Sequence, residues 1–309
     1  MEHRTLGRTN LSVSVLGFGA APAAYLKTEQ DRAAKTIGTL LDAGVNLIDT
    51  AASYPGSEEF LGNHFASRRD DFVLVSKCGT QIPESKAAAW SAELVAASVD
   101  RSLRLLKTDH IDVMLLHSCD LATLQKGEAL GALVKARDAG KIRFAGYSGD
   151  NEAAAHAATL PDVAVIETSV NLADQVNIDL VLPRAKQNNV GVIAKRPVAN
   201  AAWKDISQQA GIYQGYARKY TERLKEMKIT PQGVGFTKED RADAWPEMAL
   251  RFTLGFDGVT TAIIGTTNPD NARANIEYAS RGRLPGNVID HIRQAFRQAD
   301  ANRNWNGQT

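Results

Sequence analysis

The chain has 309 residues, of which 44% are hydrophobic, so it can bury the core of one large barrel or two ordinary domains. Its 36 basic and 35 acidic residues leave a net charge of +1, which argues against a nucleic acid or another polyanion as partner. No apolar run approaches the roughly 18 residues that a membrane-spanning helix needs, so we expect no membrane partner.

The two cysteines, Cys78 and Cys119, cannot form a disulfide framework and indicate a reducing compartment, which we take to be the cytoplasm. Near the N-terminus, basic residues precede a mildly apolar run at 11–20, as they do in a secretory signal. Serines and glycines interrupt that run, so strand alternation explains it better. No His or Cys pair has the short spacing of a zinc site, and the sequence therefore predicts no metal.

Strand-like and helix-like runs alternate along almost the whole chain. A predicted β-hairpin at 4–15 comes first, and Leu16–Gly19 follows as the first inner strand. Further strand-like runs, several of them apolar on consecutive residues, lie at 45–49, 72–77, 111–117, 142–147, 163–170, 190–195 and 259–264. Predicted helices lie at 29–43, 57–66, 91–106, 121–139, 151–159, 179–189 and from Asn268 onwards.

Eight strands with helices between them form the βα repeat of a closed parallel barrel. The predicted fold is therefore α/β, a (β/α)8 TIM barrel with an N-terminal β-hairpin. A doubly wound open sheet is the rival, but the glycines at 17 and 19 lack the third glycine of its dinucleotide fingerprint. We expect residues 1–309 to form a single barrel domain. Within it, 197–240 make a long excursion over the mouth with a helix at 220–228, and 281–309 make a C-terminal helix and tail.

Four polar residues stand where a barrel keeps its chemistry. Asp49, Lys77 and His117 each end a predicted strand, and Tyr54 follows Asp49 by five residues. An ammonium beside a phenol stabilises the phenolate, and a carboxylate keeps a buried ammonium charged. The set predicts protonation of an oxygen that gains negative charge, as in carbonyl reduction by hydride. Taken singly, each residue also fits a structural role, such as a helix cap, an ion pair or a hydrogen-bonded core histidine.

The segments that carry these residues resemble the signatures of the aldo-keto reductase family. Residues 47–54 (LIDTAASY) with 57–62 (SEEFLG) resemble the first signature, and Val75-Ser76-Lys77 and Leu115-Leu116-His117 resemble the next two. The resemblance runs from about residue 4 to residue 280. It implies a nicotinamide-dependent oxidoreductase that reduces small aldehydes or ketones, or oxidises the matching alcohols or sugars. It assigns Tyr54 as general acid/base, Lys77 and Asp49 as the pair that tunes it, and His117 as the residue that orients the carbonyl.

The resemblance also implies where the cofactor binds. A strand, a glycine turn and a helix start at 262–275 correspond to the segment that holds the adenosine end, and a helix N-terminus favours phosphate. As a bare pattern the same segment is an ordinary helix cap. NADP(H) is the expected cofactor and NAD(H) the alternative, because Asn271 stands where relatives often carry an arginine. The predicted cofactor positions are Gly19, Ala20, Asp49, Ser148, Gly149, Glu167, Lys195, Pro197, Gly265, Thr266, Thr267, Asn268, Asn271 and Asn275.

The predicted nicotinamide end departs from the common family pattern. Gly149 stands where relatives commonly have Asn, Glu167 where they have Gln, and Lys195 where they have an aromatic residue. Glu167 can accept a hydrogen bond from the carboxamide, but it adds a charge unless Lys195 or Arg196 pairs with it. A buried structural ion pair is the alternative interpretation.

The predicted substrate is a small carbonyl compound or sugar. The predicted substrate contacts are Tyr25, Tyr54, His117 and Ser118, and the other aromatic candidates for the pocket wall are Trp90, Trp203, Tyr213 and Trp305. We expect the two cysteines to be packing residues rather than redox groups. The alternatives are a non-enzymatic nicotinamide-binding subunit resembling the β subunits of potassium channels, and a metal-dependent barrel hydrolase. No pattern in the sequence predicts an oligomeric state.

Overall fold

The structure is a computed structural model and describes residues 1–25, 30–209, 211–236 and 244–308. Eight parallel strands close into a barrel, in which each strand pairs with the next and the last pairs with the first. The strands are β3 Leu16–Gly19, β4 Leu47–Asp49, β5 Val73–Cys78, β6 Ile111–His117, β7 Ile142–Ser148, β8 Val165–Ser169, β9 Gly191–Lys195 and β10 Thr261–Ile264. The predicted (β/α)8 barrel is thereby confirmed, and the open sheet is excluded.

A two-stranded antiparallel hairpin closes one end of the barrel. Its strands are β1 His3–Thr5 and β2 Ser12–Ser14. Leu6, Leu11 and Val13 of the hairpin belong to the same buried apolar cluster as the inward-facing residues of the barrel strands. The hairpin leads directly into the amino end of β3, so it plugs that end and leaves the carboxyl end of the strands for the site.

Helices surround the barrel or lie over its carboxyl end. They are α1 Ala21–Tyr25, α2 Gln30–Asp42, α3 Ser57–Phe65, α4 Ala92–Leu106, α5 Leu121–Lys126, α6 Glu128–Asp138, α7 Asn151–Ala157, α8 Val176–Leu180, α9 Leu182–Gln187, α10 Gly211–Met227, α11 Trp245–Leu254, α12 Pro269–Ser280 and α13 Gly286–Ala299. Within the described ranges, no helix combines the length and the apolarity needed to cross a bilayer.

Two predicted helices are each divided in the structure. The helix predicted at 121–139 is interrupted at Gly127, whose φ of +73° is unfavourable for a residue with a side chain. The helix predicted at 179–189 is two short helices, and the second carries Pro183 in its first turn. Proline cannot donate the hydrogen bond that would continue the preceding helix.

The prediction also missed or shortened some helical segments. The helix predicted at 220–228 begins earlier, at Gly211, and so includes Tyr213 and Tyr216 as well as the charged run. Helix α11 was not predicted, although Pro246 in its first turn is a usual helix-start signal. The short helix α1 occupies a segment that was expected to be a loop.

Alternation along the strands brings polar side chains into the barrel at its carboxyl end. Side chains on a strand alternate between the inside and the outside of a barrel. Val75 and Leu115 lie in the inner apolar cluster, and Lys77 and His117 stand two residues further along the same strands. The same two-residue step relates Leu47 to Asp49, Val165 to Glu167 and Ile193 to Lys195.

Two glycines in helices provide a matched test of this packing. A methyl group added at Gly62 of α3 would lie 2.1 Å from the carbonyl oxygen of Leu105, whereas Gly131 of α6 has nothing within 4 Å. We expect Gly62→Ala to lower the free energy of unfolding by about 1–3 kcal/mol through overpacking. Gly131→Ala should raise it by up to about 1 kcal/mol through helix propensity. Urea unfolding measures both, and effects of the same sign would contradict the close approach of α3 to α4.

Candidate active site

The carboxyl ends of the barrel strands surround a cavity of about 820 Å³. Its wall includes Asp49, Tyr54 and His117, together with residues of the turn and helix start at 265–275. This volume is in the usual range for small-molecule and cofactor sites. Three of the four predicted catalytic residues and the predicted adenosine segment therefore share one cavity, and Lys77 lies buried behind its wall.

Lys77 is the centre of the buried charge at the bottom of this cavity. Its Nζ bonds to Oδ1 of Asp49, donates to the carbonyl oxygen of Thr50 at 3.0 Å, and lies 3.3 Å from Oε2 of Glu167. Burial alone would lower the pKa of this lysine, but the charges of Asp49 and Glu167 outweigh burial and raise the pKa above its usual range. These two carboxylates therefore favour the protonated form of Lys77.

Two carboxylates face this one ammonium. Burial, followed by the neighbouring charge of Glu167, raises the pKa of Asp49 well above its usual range, although Lys77 acts in the opposite direction. Oε1 of Glu167 accepts a hydrogen bond from the Ser148 hydroxyl at 3.2 Å. Oε2 of Glu167 is buried and has no hydrogen-bond partner within the described part of the chain.

Tyr54 is placed over the barrel by the loop after β4. Its backbone N–H donates to the carbonyl oxygen of Ala51 at 3.0 Å in a tight turn, and Gly56, at a φ of +72°, ends the loop where α3 begins. The Tyr54 ring meets the His117 ring edge-on with a centroid separation of 5.8 Å, and Lys77 Nζ lies 5.3 Å from the Tyr54 ring centroid. The four polar residues singled out in the sequence thus come together.

His117 at the end of β6 is held in its neutral form. Burial, and after it the charges of Lys77 and Lys195, lower its pKa to about 3. Its Nδ1 lies 3.2 Å from the Ser53 hydroxyl oxygen. Ser53 was not predicted as a site residue, although it stands next to Tyr54 in the first family-like segment.

Glu167 pairs with neither of the residues that the sequence suggested. The sequence suggested Lys195 or Arg196, but the structure pairs Lys195 Nζ with Oδ2 of Asp150 at 3.0 Å, while Lys77 lies beside Glu167. The strand register gives the reason, because Glu167 stands opposite Ile193 and Lys195 lies two residues nearer the mouth.

Asp150 is a buried residue that the sequence reasoning missed. Its carboxylate accepts hydrogen bonds from Thr168, from the Ser169 backbone and from Asn177. Burial tends to raise the pKa of Asp150, but Lys195, the Ser169 backbone N–H and the charge of Arg196 lower it below the usual range. Its position directly after the end of β7 was a signal of the same kind as that of Asp49.

Arg196 lines the cavity beside this pair but makes other contacts. It bonds to the carbonyl oxygen of Gln308, and its guanidinium lies 4.3 Å from the centroid of the Tyr216 ring. The sequence suggested Arg196 only as a partner for Glu167. Its backbone has a φ of +56°, which directs the chain from β9 into the excursion over the mouth.

The far end of the cavity is formed by the start of α12. The Asn268 side chain caps the helix by accepting from the backbone N–H of Asp270 at 2.9 Å, and the Thr266 hydroxyl accepts from Asn268 N–H at 3.1 Å. Arg273 is exposed and forms an ion pair with Asp270 at 2.5 Å. The residues of this segment that line the cavity are Gly265, Thr266, Thr267, Asn268, Asn271, Ala274 and Asn275.

The structure brings most of the predicted cofactor positions to the cavity wall. Besides that segment, the wall includes Gly19, Asp49, Ser148, Glu167, Lys195 and Pro197. Ala20 and Gly149 are absent from the wall. A side chain at Gly149 would lie 2.4 Å from the Tyr147 hydroxyl, which donates to the Cys119 carbonyl at 2.7 Å. Tyr147 therefore fills the space that an asparagine at 149 would need.

Most of the predicted substrate positions also lie on the cavity wall. Tyr54, His117 and Ser118 line the cavity, and so do the aromatic candidates Trp203 and Tyr213. The side chain of Tyr25 lies outside the described residues.

Two other aromatic candidates pack elsewhere. Trp90 packs against Gly79, and the Trp305 ring lies 5.0 Å from the Phe296 ring centroid. The sequence missed several wall residues, most of them in or near the excursion, including Thr80, Asn200, Lys204, Gln209, Tyr216 and Tyr278.

The two cysteines lie close to the catalytic strands but are buried. Burial raises the pKa of both thiols, that of Cys119 to about 12. A thiol rather than a thiolate is a poor nucleophile and metal ligand. Among the described residues, no group of three or more His, Cys, Asp or Glu side chains is arranged to hold a metal ion.

Comparisons with known proteins agree on one family. The model of the Aldo/keto reductase family matches residues 15–297. L-galactose dehydrogenase of Arabidopsis thaliana is 27% identical, with 89% of this chain and 87% of that protein covered. L-glyceraldehyde 3-phosphate reductase of Escherichia coli K12 is 24% identical, with 98% and 94% covered. The holo form of an aldo-keto reductase from Bacillus halodurans has a TM-score of 0.79 at 26% identity, covering 96% of both chains.

The depressed pKa of His117 predicts a pH dependence of stability. The unfolded state takes up a proton at about pH 6.5 and the folded state only at about pH 3. Below pH 6.5 the unfolded state binds more protons, so this contribution to stability is lost as the pH falls. Between pH 7 and pH 5, we expect the free energy of unfolding of the wild type to fall by up to about 2 kcal/mol more than that of His117→Gln. Urea unfolding at both pH values measures the difference, and parallel losses would show that the imidazole is not desolvated.

Proposed function

The chain belongs to the aldo/keto reductase family, and we propose that it interconverts small carbonyl compounds and their alcohols with Tyr54 as general acid/base. Members of this family are oxidoreductases that act on carbonyl compounds with nicotinamide cofactors. One observation carries the proposal. A single cavity joins Tyr54 and His117 to the turn before α12, and Lys77 lies buried beneath it between two carboxylates.

Proton transfer is the role proposed for Tyr54. A carbonyl oxygen becomes negatively charged as hydride adds to its carbon, and a phenol within hydrogen-bond reach can supply the proton. The Lys77 ammonium lies close enough to stabilise the phenolate that remains. Asp49 and the Thr50 carbonyl hold that ammonium in place. In the direction of alcohol oxidation, the phenolate accepts the hydroxyl proton.

Orientation of the carbonyl is the role proposed for His117. A neutral imidazole offers one N–H donor and one acceptor nitrogen. If the Ser53 hydroxyl donates to Nδ1, the proton lies on Nε2, which can then donate to a carbonyl oxygen. A neutral donor orients that oxygen without competing with Tyr54 to protonate it.

The donors and acceptors in the cavity suit an extended nicotinamide cofactor, which supplies the hydride when bound. Ser148 and Oε2 of Glu167, which has no hydrogen-bond partner in the described chain, offer hydrogen bonds to a carboxamide. Thr266, Thr267 and the N-terminal end of α12 suit the phosphate and adenosine portion. We infer that Ser148 and Glu167 hold the nicotinamide end and that residues 265–275 hold the adenosine end.

Small polyhydroxylated aldehydes, ketones and sugars are the proposed substrates. Near Tyr54 the cavity wall carries the hydroxyls of Ser53, Thr80 and Ser118, and Trp203 offers an apolar face. Two of the similar proteins are named for L-galactose and L-glyceraldehyde 3-phosphate. The wall chemistry and these names together favour hydroxylated substrates over large apolar ones.

Removal of the Tyr54 hydroxyl tests the proposed acid. We expect Tyr54→Phe to lower kcat for reduction about 10²–10⁴-fold, the usual range for loss of a general acid. The dissociation constant for the cofactor should change little, because the hydroxyl acts on the substrate. Absorbance at 340 nm gives the rate, and fluorescence titration of the same sample gives the dissociation constant as control. If kcat of Tyr54→Phe equalled that of the wild type, Tyr54 would be excluded as the acid.

The residues at the adenosine end of the cavity predict a modest preference for NADPH over NADH. Arg273 is engaged with Asp270, and Asn271 offers no charge to a 2′-phosphate. We expect kcat/KM with NADPH to exceed that with NADH by much less than 1,000-fold, a ratio that corresponds to about 4 kcal/mol. Asn271→Arg should raise the ratio, because an arginine can pair with the phosphate. A wild-type preference of 1,000-fold would contradict the prediction.

A further inference from the structure

Glu167 is a buried carboxylate that the proton chemistry of Tyr54 does not require. It is 2% exposed, points inward from β8 and lines the cavity. Oε1 is used by Ser148, but Oε2 has no hydrogen-bond partner in the described chain and lies 3.3 Å from Lys77 Nζ. An unsatisfied buried carboxylate oxygen is costly unless a ligand or a charge compensates it.

The side chains in contact at Glu167 form a cluster of two carboxylates and one ammonium. Lys77 is its nearby cation, and Asp49 already bonds to the same ammonium. Lys195, on the adjacent strand, is neutralised by Asp150 at 3.0 Å.

Among the described residues, no second cation forms an ion pair with Glu167. His117 is neutral at physiological pH. Arg196 is a further cation on the cavity wall, but its guanidinium contacts the Gln308 carbonyl and the Tyr216 ring rather than Glu167. The floor of the cavity therefore has two carboxylates for one cation, and burial with the charge of Glu167 raises the pKa of Asp49 accordingly.

Any hydride carrier must approach this floor. The hydride donor and the proton donor act on the two atoms of one carbonyl group, so both lie within roughly 3–4 Å of it in a reactive geometry. Tyr54 lies next to Lys77, and Lys77 contacts Glu167. A nicotinamide ring that serves Tyr54 therefore lies within a few ångströms of this carboxylate cluster. The oxidised ring carries a positive charge and the reduced ring carries none.

We propose that Glu167 makes the site selective for the oxidised form of the nicotinamide cofactor, and so adapts the enzyme to alcohol or sugar oxidation. The inference rests on the proposed function, since it requires the cofactor in this cavity. The excess carboxylate attracts the oxidised ring across a low-dielectric space and gives the reduced ring no equivalent stabilisation. An amide at 167 would keep the hydrogen-bonding capacity and remove the charge.

Binding measurements with both redox forms test the proposal without turnover. Tryptophan fluorescence is titrated with NADP⁺ and NADPH, and with NAD⁺ and NADH, at pH 8 and constant ionic strength. The ratio of the dissociation constant of the reduced form to that of the oxidised form should fall about ten-fold or more in Glu167→Gln. Glu59→Gln makes the same chemical change on the exposed face of α3, outside the cavity wall, and should leave the ratio unaltered.

The outcomes separate this inference from the proposed function. If neither redox form binds to the wild type, the proposed function fails. If both forms bind and Glu167→Gln leaves their ratio unaltered, the role of Glu167 is overturned while the proposed function stands. Retention of the wild-type ratio by Glu167→Asp, which keeps the charge, would further support the proposal.

A measurement on the wild type alone remains decisive if Glu167→Gln does not fold. Burial and the charge of Glu167 raise the pKa of Asp49, and a bound cation nearby would favour the ionised form of this carboxyl. Calorimetry in two buffers of different ionisation enthalpy should therefore show more proton release with the oxidised cofactor than with the reduced one. Equal proton release for the two forms would overturn the proposal.

Discussion

The buried ammonium of Lys77 is the interaction on which the site depends. An isolated charge at this depth would be strongly unfavourable, so Lys77 requires its partners in the folded state. Those partners come from β4 and from β8, and β8 lies three strands away around the barrel from β5. The contact between Lys77 and Glu167 thus crosses the barrel interior, and it requires the sheet from β5 to β8 to curve around it. The charged cluster therefore depends on the curvature of the sheet as well as on the local sequence.

A second ion pair keeps the remaining charge away from this cluster. Asp150 holds Lys195 toward the mouth, and the donors around Asp150 come from the end of β8 and from α8. Strand register also separates Lys195 from Glu167, which stands opposite Ile193 on the adjacent strand. The structure thus separates two acid–base clusters within one barrel end. The inner cluster has two carboxylates for one lysine, and the outer one has one carboxylate for one lysine.

The sequence was sufficient for the barrel and for the four central residues. Consecutive apolar residues and strand-end polar residues are local signals, and Asp49, Lys77 and His117 carry both. The partner of Glu167 was not predictable in this way, since it depends on which residues face each other across the closed barrel. Local signals also gave no indication that Tyr147 fills the space beside Gly149. The excursion was recognised by its length, but its contribution to the cavity wall depends on tertiary packing that no periodicity encodes.

Closure of the barrel has a consequence for how the chain folds. Strand β3 pairs with β4 on one side, but its other edge is completed only by β10, which joins Leu16 to Ala262. Contacts between such distant parts of a chain form late, because a long loop must be ordered first. Until then the row of backbone groups on β3 remains unpaired, and unpaired strand edges attract other chains. The period before β10 docks is therefore the time at which this protein is most exposed to aggregation.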